Sequence, residues 1–401
     1  MELDRANVVI IGGGVVGCAI ARELSARIPD VFVLEQLPKV GLATSTRNSG
    51  VIHSGIYYVP GSLKALLCLE GNRLTREFCA ANGVPHRICG KIVVASHDSE
   101  LPTLERLAEN GCVNGVAGLR MIGRDRIRER EPHVSAIAAL EVPSTGILSA
   151  EDLVKAYARA AVGQGASILT GARVVGLEPR SGAIAVTIEM GDTPGSGSGS
   201  AGSSGRGLGG GSGRDSAHAT RETVEARCVV NSAGLYADEV AALAGNTNYR
   251  IYPVRGEYAE IAHPRSDLVK ALVYPLPHTD QLGLGVHLTR TLWGTVLVGP
   301  TARYITEKND YERDRLPLEE FLHSARVLVP DLECEHLRLA YSGIRPKLVP
   351  PDAHTIADFV IARDPECPHM INLVGIESPG LTAAPAIAKH VVPLVAEILA
   401  G

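Results

Sequence analysis

The residues best placed to do chemistry stand near the start of the chain. Gly12, Gly14 and Gly17 form Gly-x-Gly-x-x-Gly, and Glu35 follows the last glycine by eighteen residues. Val8 to Ile11 is an apolar run before the glycines. Val16, Ile20 and Leu24 recur at helical spacing after them, Pro29 closes that helix, and Val31 to Leu34 is a second apolar run. Strand, glycine turn, helix, strand and acid is the order of a dinucleotide-binding βαβ unit. Gly12 permits the tight turn, and Gly17 lets the helix pack close to the strand. Gly14, Val15 and Val16 bring backbone to a pyrophosphate at the positive helix end. Glu35 would accept hydrogen bonds from ribose hydroxyls and repel a 2′-phosphate.

Other chemistry-bearing residues lie further along. Thr44 to Tyr58 crowds small and hydroxyl residues around Arg47, Asn48 and His53, a loop suited to closing backbone N–H groups on a ligand. His287 sits on an expected strand, Leu284 to Leu288, whose alternation would point it to one side with Gly285 and Thr289. Arg345 follows Gly343 and precedes Pro346 in a rigid turn, and a guanidinium binds carboxylate bidentately. Arg255, between Val254 and Gly256, is the second such cation; Lys347 and Tyr274 are weaker candidates. The ordinary alternatives are a satisfied structural histidine and arginines in surface ion pairs of little worth.

The elements that must position these groups can be read in outline. The chain has 401 residues, 45% of them hydrophobic, enough for two domains with real cores. A net charge of −5 gives no support to nucleic-acid binding. No run of about eighteen apolar residues stands out, so no membrane span is expected, though peripheral membrane contact stays open. The first strand begins within a few residues of Met1, leaving no room for a leader. Eight cysteines lack metal-ligand spacing and read as reduced thiols of an intracellular protein, with no metal site.

Helices are expected from Ser62 to Gly83, over Arg124 to Glu131, over Leu153 to Val162 behind a Ser149/Asp152 capping box, over Ala237 to Leu243 and over Leu316 to Leu328. The first of these carries Leu63, Leu66, Leu67, Leu74 and Phe78 on one side. Strands are expected at Lys91 to Ala95, Ile168 to Leu177, Ala183 to Met190, Glu222 to Glu225, Ile251 to Ile261 and Ile371 to Ile376, with turns at His278–Gln281 and Thr291–Gly294. Cys228 to Asn231 is a further strand, ending in the small-residue turn Ser232-Ala233-Gly234. Residues 191–219 are Gly/Ser-rich and read as a disordered insertion in a hairpin.

Taken together, the glycine motif with Glu35, the Arg47-Asn48-Ser49-Gly50 run with His53, the Ala233-Gly234 turn and Gly380-Leu381-Thr382 before the last helix resemble the D-amino-acid-oxidase-like flavoproteins. More narrowly, SGVIHSGIYY, PVRGEY, the Tyr274-Pro275-Leu276-Pro277 run, GVHLT, Gly299-Pro300 and GIRPK resemble the L-2-hydroxyglutarate dehydrogenase/oxidase family. The resemblance implies an α/β fold: a Rossmann-like FAD-binding domain (1–83, 147–248 and 336–401) and a discontinuous antiparallel-sheet substrate domain (84–146 and 249–335). It implies FAD held by the glycines, Glu35, Thr46 to Gly50, Val174, Ala233, Gly234, Gly343 and the N–H groups of Gly380, Leu381 and Thr382. A small 2-hydroxy acid would be oxidised by hydride transfer to flavin N5, with His53 and His287 as the catalytic pair, unranked as base and orienter. Arg345, Arg255 and Tyr274 would hold the substrate. The electron acceptor would be oxygen, a quinone or an electron-transfer protein, and the location cytoplasmic, or mitochondrial in a eukaryote. The competing functions are an amine, amino-acid or glycerol-3-phosphate oxidase of the same superfamily, and a non-catalytic flavin-binding protein.

Overall fold

The computed structural model describes residues 5–190, 220–277, 285–353 and 355–401. Arg5–Ile11 lies in the middle of a first, mixed sheet, parallel to Val31–Glu35 on one side and to Thr220–Asn231 on the other. Ser167–Thr170 extends the sheet beyond Val31–Glu35, and Met370–Val374 runs parallel to Thr220–Asn231. A parallel strand covered on both faces must be apolar throughout, and Val8, Val9 and Ile10 are all buried. The helices Val15–Ser25, Ala150–Gly163 and Gly380–Ala400 pack on one face. Ala172–Arg180 and Ala183–Met190 form an antiparallel extension whose side chains, with Val240 and Ala244, meet the other face.

The second sheet is antiparallel except where Leu272–Pro275 runs parallel to Lys91–Ala95. Tyr252–Ile261 is its longest-paired strand, flanked by Val296–Gly299 and by Leu337–Lys347. His287–Arg290 joins Val296–Gly299 to Leu272–Pro275. A small third sheet, Val51–Ile52 with Gly146–Leu148 and His86–Arg87, lies beside the glycine-rich unit.

Several elements differ from the sequence expectation. The first helix ends at Ser25, short of Pro29, because the N–H groups of Arg27 and Ile28 both turn back to the Leu24 carbonyl. The Ile168 to Leu177 run is two strands, broken at Gly171, whose φ is +70° and whose N–H bonds the Leu37 carbonyl. The separate strands expected at 222–225 and 228–231 are one, Thr220–Asn231. The helix behind Ser149 starts at Ala150, and the Ser149 hydroxyl donates to the Asp152 carboxylate while its oxygen accepts the Asp152 N–H, which is not a reciprocal capping box. Leu66 is exposed on its helix.

Leu337–Lys347, assigned above to the FAD-binding domain, is hydrogen-bonded into the second sheet, since its register with Tyr252–Ile261 satisfies both backbones. The 191–219 insertion, the His278–Gln281 turn and Leu284 lie outside the described residues, but Met190 and Thr220 on either side of the insertion are antiparallel partners. Among the described residues one helix, Gly380–Ala400, is long and apolar enough to cross a membrane. Lys389, His390 and two prolines interrupt its apolar run, and half of that window is buried in the protein.

The second helix, Leu63–Ala81, and the C-terminal helix meet backbone to backbone. A Cβ on Gly71 would lie 2.4 Å from the Thr382 carbonyl oxygen, and the Thr75 hydroxyl donates to that same oxygen at 3.0 Å. Gly71→Val is therefore expected to cost about 1–3 kcal/mol by overpacking. Gly163→Ala, in open space, is the control. Thermal unfolding of both variants checks this; equal midpoints would show that the two helices can separate freely.

Candidate active site

A cavity of about 520 Å³ runs from the glycine turn to the second sheet. At one end Gly12, Gly14, Val15, Val16 and Glu35 line it. Gly12 has φ +105°, and a Cβ there would lie 2.6 Å from the Ser232 carbonyl. A Cβ on Gly14 would lie 3.0 Å from Ser45 Oγ. Gly17 faces away from the cavity; its Cβ would lie 2.0 Å from the Gly12 carbonyl, so it sets the approach of helix to strand. Glu35 accepts the N–H groups of Gly13 and Leu37, each at 2.8 Å. Burial pushes its carboxyl up, against the pull of those two N–H groups.

The first helix and the C-terminal helix both begin at this cavity, and in neither does the N-cap residue supply a side-chain cap. Gly380 and Leu381 line it. Thr382 does not: it is fully buried, accepting the His53 N–H at 3.0 Å and donating to the Val51 carbonyl at 3.2 Å. Val174, Ala233, Gly234 and Gly343 line the cavity. Arg47, Asn48 and Ser49 do so too, whereas Thr46 donates to the Gly41 carbonyl and Gly50 turns with φ +64° beside the Leu148 carbonyl. Asn48 braces the loop, donating to the carbonyls of Thr44 and Ser45 and accepting the Gly50 N–H. Two helix starts, a glycine cradle that Cβ atoms would fill and a carboxylate at its rim fit the phosphates and ribose of FAD.

At the other end His53, His287 and Arg345 line the same cavity. His53 Nε2 is 3.2 Å from Ser378 Oγ, and its Nδ1 has no hydrogen-bond partner among the described residues. His287 donates from Nδ1 to the Gly285 carbonyl at 3.0 Å, which leaves Nε2 with the lone pair. Burial pushes both imidazoles down to about 3; Lys91 adds to this for both, His287 for His53, and Arg345 for His287. Arg345 donates to the Thr301 carbonyl at 3.3 Å. Gly256 makes room for it, since a Cβ there would lie 3.1 Å from the guanidinium.

Two expected substrate contacts are overturned. Arg255 is fully buried on the opposite side of its strand from Gly256 and Tyr258, which face the cavity. It lies 3.1 Å from Glu257 and 3.2 Å from Asp310, and donates to the carbonyls of Asp310, Arg313 and Asp314. Period-two alternation sends it away from the site. Tyr274 does not line the cavity either. It stacks behind His287 with ring centroids 3.9 Å apart. Sequence reasoning missed Ser45, which accepts the Val15 N–H at 2.9 Å, and also Tyr258 and Lys91. Lys91 gave one signal, a cation leading the apolar run Lys91–Ala95.

A glycine-cradled cavity shared by a parallel-centred sheet and an antiparallel one defines an FAD-binding oxidoreductase architecture. The chain belongs to the FAD dependent oxidoreductase (DAO) family, whose model matches residues 7–394. It is 35% identical over 419 residues to the mitochondrial L-2-hydroxyglutarate dehydrogenase of Arabidopsis thaliana, covering 97% of this chain and 83% of the relative. It is 32% identical to the L-2-hydroxyglutarate dehydrogenase of Escherichia coli K12, covering 98% and 94%. Among solved structures, L-alpha-glycerophosphate oxidase from Mycoplasma pneumoniae with FAD bound superposes with a TM-score of 0.82 at 26% identity, over 98% of this chain and 95% of that one. Glycine oxidase from Geobacillus kaustophilus shares the fold with a TM-score of 0.76 at 23% identity, over 98% and 95%.

Both histidines are held neutral, and on unfolding each regains its ordinary value of 6.5. Between 6.5 and about 3 the unfolded chain therefore binds more protons than the native one, and stability falls as pH is lowered through that window. The urea midpoint is expected to drop between about pH 7 and about pH 4, less steeply in His287→Gln. An unchanged slope in that variant would show that its imidazole is not held neutral.

Proposed function

We propose that the chain oxidises L-2-hydroxyglutarate to 2-oxoglutarate. The observation that carries this is the meeting of His287 and Arg345 in the cavity that begins at the Gly12–Glu35 cradle. When bound, FAD supplies the oxidant that accepts the hydride from Cα. Arg345 takes a substrate carboxylate by two parallel N–H bonds. His287 Nε2, with Nδ1 committed to Gly285, receives the hydroxyl proton as the carbonyl forms. His53 is fixed from both sides, its N–H on Thr382 and its carbonyl on Asn72, and presents its ring beside the same space. The C-terminal helix, whose Gly380 N–H is taken by the Glu377 carbonyl, turns the Leu381 N–H and its positive dipole toward negative charge developing there. The names of the relatives that match nearly the whole chain support the hydroxy acid as substrate.

The likeness to glycerophosphate oxidase favours a second reading, oxidation of a glycerol phosphate at the same hydroxyl-bearing carbon. Oxygen, a quinone or an electron-transfer protein would then reoxidise the cofactor, the last two at a membrane surface or in solution. Anaerobic mixing of the flavin-loaded protein decides between substrates. L-2-hydroxyglutarate should bleach the flavin, and glycerol 3-phosphate, glycine and sarcosine should not. His287→Ala should retain flavin and lose bleaching. Bleaching by glycerol phosphate or an amine without the hydroxy acid would overturn the assignment, and bleaching by none would leave a flavin-binding protein without this activity.

A further inference from the structure

Residues 305–317 form a long connection with neither helix nor strand. Such connections are uncommon in compact folds and are usually functional. This one leaves the second sheet at Arg303–Tyr304, which pairs with Tyr252–Ile261, and returns through the helix Leu318–Arg326 to the second core. Between those points it reaches across to the first half of the molecule. Lys308 Nζ lies 2.6 Å from Asp238 Oδ1 and 2.7 Å from Glu239 Oε1, both at the start of the helix Ala237–Leu243. The same ammonium stands 5.4 Å from the Tyr236 ring centroid.

The inner side of this strap is a wall of the cavity. Asn309 and Tyr311 line it, as do Gly234 and Tyr236 from the turn that precedes Ala237–Leu243. The Arg47 guanidinium lies 4.2 Å from the Tyr311 ring centroid and lines the cavity too. Arg47 has no ion pair among the described residues. A guanidinium free of carboxylates at a cavity wall suits an anionic occupant, and the diphosphate of FAD is one.

The strap is also held from behind. The buried Arg255 donates to the carbonyls of Asp310, Arg313 and Asp314 and pairs with the Asp310 carboxylate at 3.2 Å. Asp310 Oδ1 accepts the Arg313 N–H at 3.0 Å. Arg303 donates to the Asp314 carbonyl, and the Ser342 hydroxyl donates to that of Tyr311. Arg255, turned away from the substrate space, thus fixes the root of the strap. Lys308 fixes its far end.

We propose that residues 305–314 are a clasp that closes the cofactor cavity and slows the departure of FAD, with the Lys308–Asp238 ion pair as its latch. Asp238 is a fixed anchor, because its Oδ2 accepts the Ile251 N–H at 2.9 Å. The side chains of Lys308 and Asp238 are only 14% and 12% exposed, so solvent screens their attraction little. Glu239 is 61% exposed and adds little to the latch. Breaking a largely buried charge pair at an interface acts chiefly on the rate of dissociation. The clasp acts through its wall residues Asn309 and Tyr311, and it serves whichever substrate the flavin oxidises. Arg255 is then a positioning residue for the clasp.

The test is the rate at which FAD leaves the holoenzyme, followed by the rise in free-flavin fluorescence after dilution. Lys308→Met should raise it by about 10-fold or more, and Asp238→Asn, which keeps the acceptor for Ile251, should do the same. The double variant should release FAD no faster than the faster single one, since all three lack the same pair. Glu239→Gln should stay within about twofold of wild type. FAD leaving Lys308→Met and Asp238→Asn at the wild-type rate would overturn the proposal. So would unchanged release with a raised KM for L-2-hydroxyglutarate, which would make the strap a substrate lid. A lowered thermal midpoint with unchanged release would reduce Lys308 to a structural role and overturn it equally. Should neither variant fold, amide hydrogen exchange of the wild type decides. FAD should slow exchange in residues 308–314 and leave residues 291–294, which do not line the cavity, unchanged. Equal slowing of both segments would overturn the proposal.

Discussion

A single buried hydroxyl ties the active site together. Thr382 Oγ1 accepts the backbone N–H of His53 and donates to the carbonyl of Val51, while the Thr382 carbonyl accepts the Thr75 hydroxyl. These bonds join residues more than 300 positions apart, and Thr75 and Thr382 are buried from solvent. A lost partner there would leave buried backbone unsatisfied at about 1–3 kcal/mol. The arrangement fixes two things at once: where the C-terminal helix starts, and where the His53 ring hangs. The cavity inherits its shape from that registration. The first helix is registered in the same way by Gly17 against the Gly12 carbonyl.

The electrostatics follow from burial. His53, His287, Arg345 and Lys91 converge without a carboxylate among them to balance the cations. Each positive group makes its neighbours harder to protonate, and dry surroundings strengthen the effect. The result is a chamber receptive to an anion. Arg255, on the strand paired with that of Arg345, shows the opposite arrangement. There Glu257 and Asp310 neutralise the guanidinium, and backbone carbonyls take its remaining protons. The first cluster is built to receive charge, the second to close it off.

The cofactor end was legible in the sequence because its signals are local. Gly12, Gly14, Gly17 and Glu35 fall within one βαβ unit, and each acts through backbone geometry that its residue type dictates. The substrate end was legible only in part. Arg345 and His287 were found, but Arg255 was placed on the wrong face, because alternation says that successive side chains diverge without saying which face is inward. Tyr274 was placed at the substrate rather than behind His287 for the same reason. Lys91 left only the trace of a cation at the head of an apolar run, because Tyr57 and Tyr274 reach it through contacts between segments far apart in the chain. The break at Gly171 was missed because an apolar run does not record a positive φ.

The strand Leu337–Lys347 begins in the hydrophobic core of the second sheet, at Leu337, and ends at the cavity with Gly343 and Arg345. Gly343 there presses so close to the Arg47 carbonyl that a Cβ would overlap it. One stretch of backbone is thus a structural member of both halves. Neither half is a module in the evolutionary sense: a recombination junction placed at residue 336 would cut the substrate sheet from its own edge. Chimaeras between relatives should inherit this strand together with the sheet it completes, and with the loop whose carbonyl it touches.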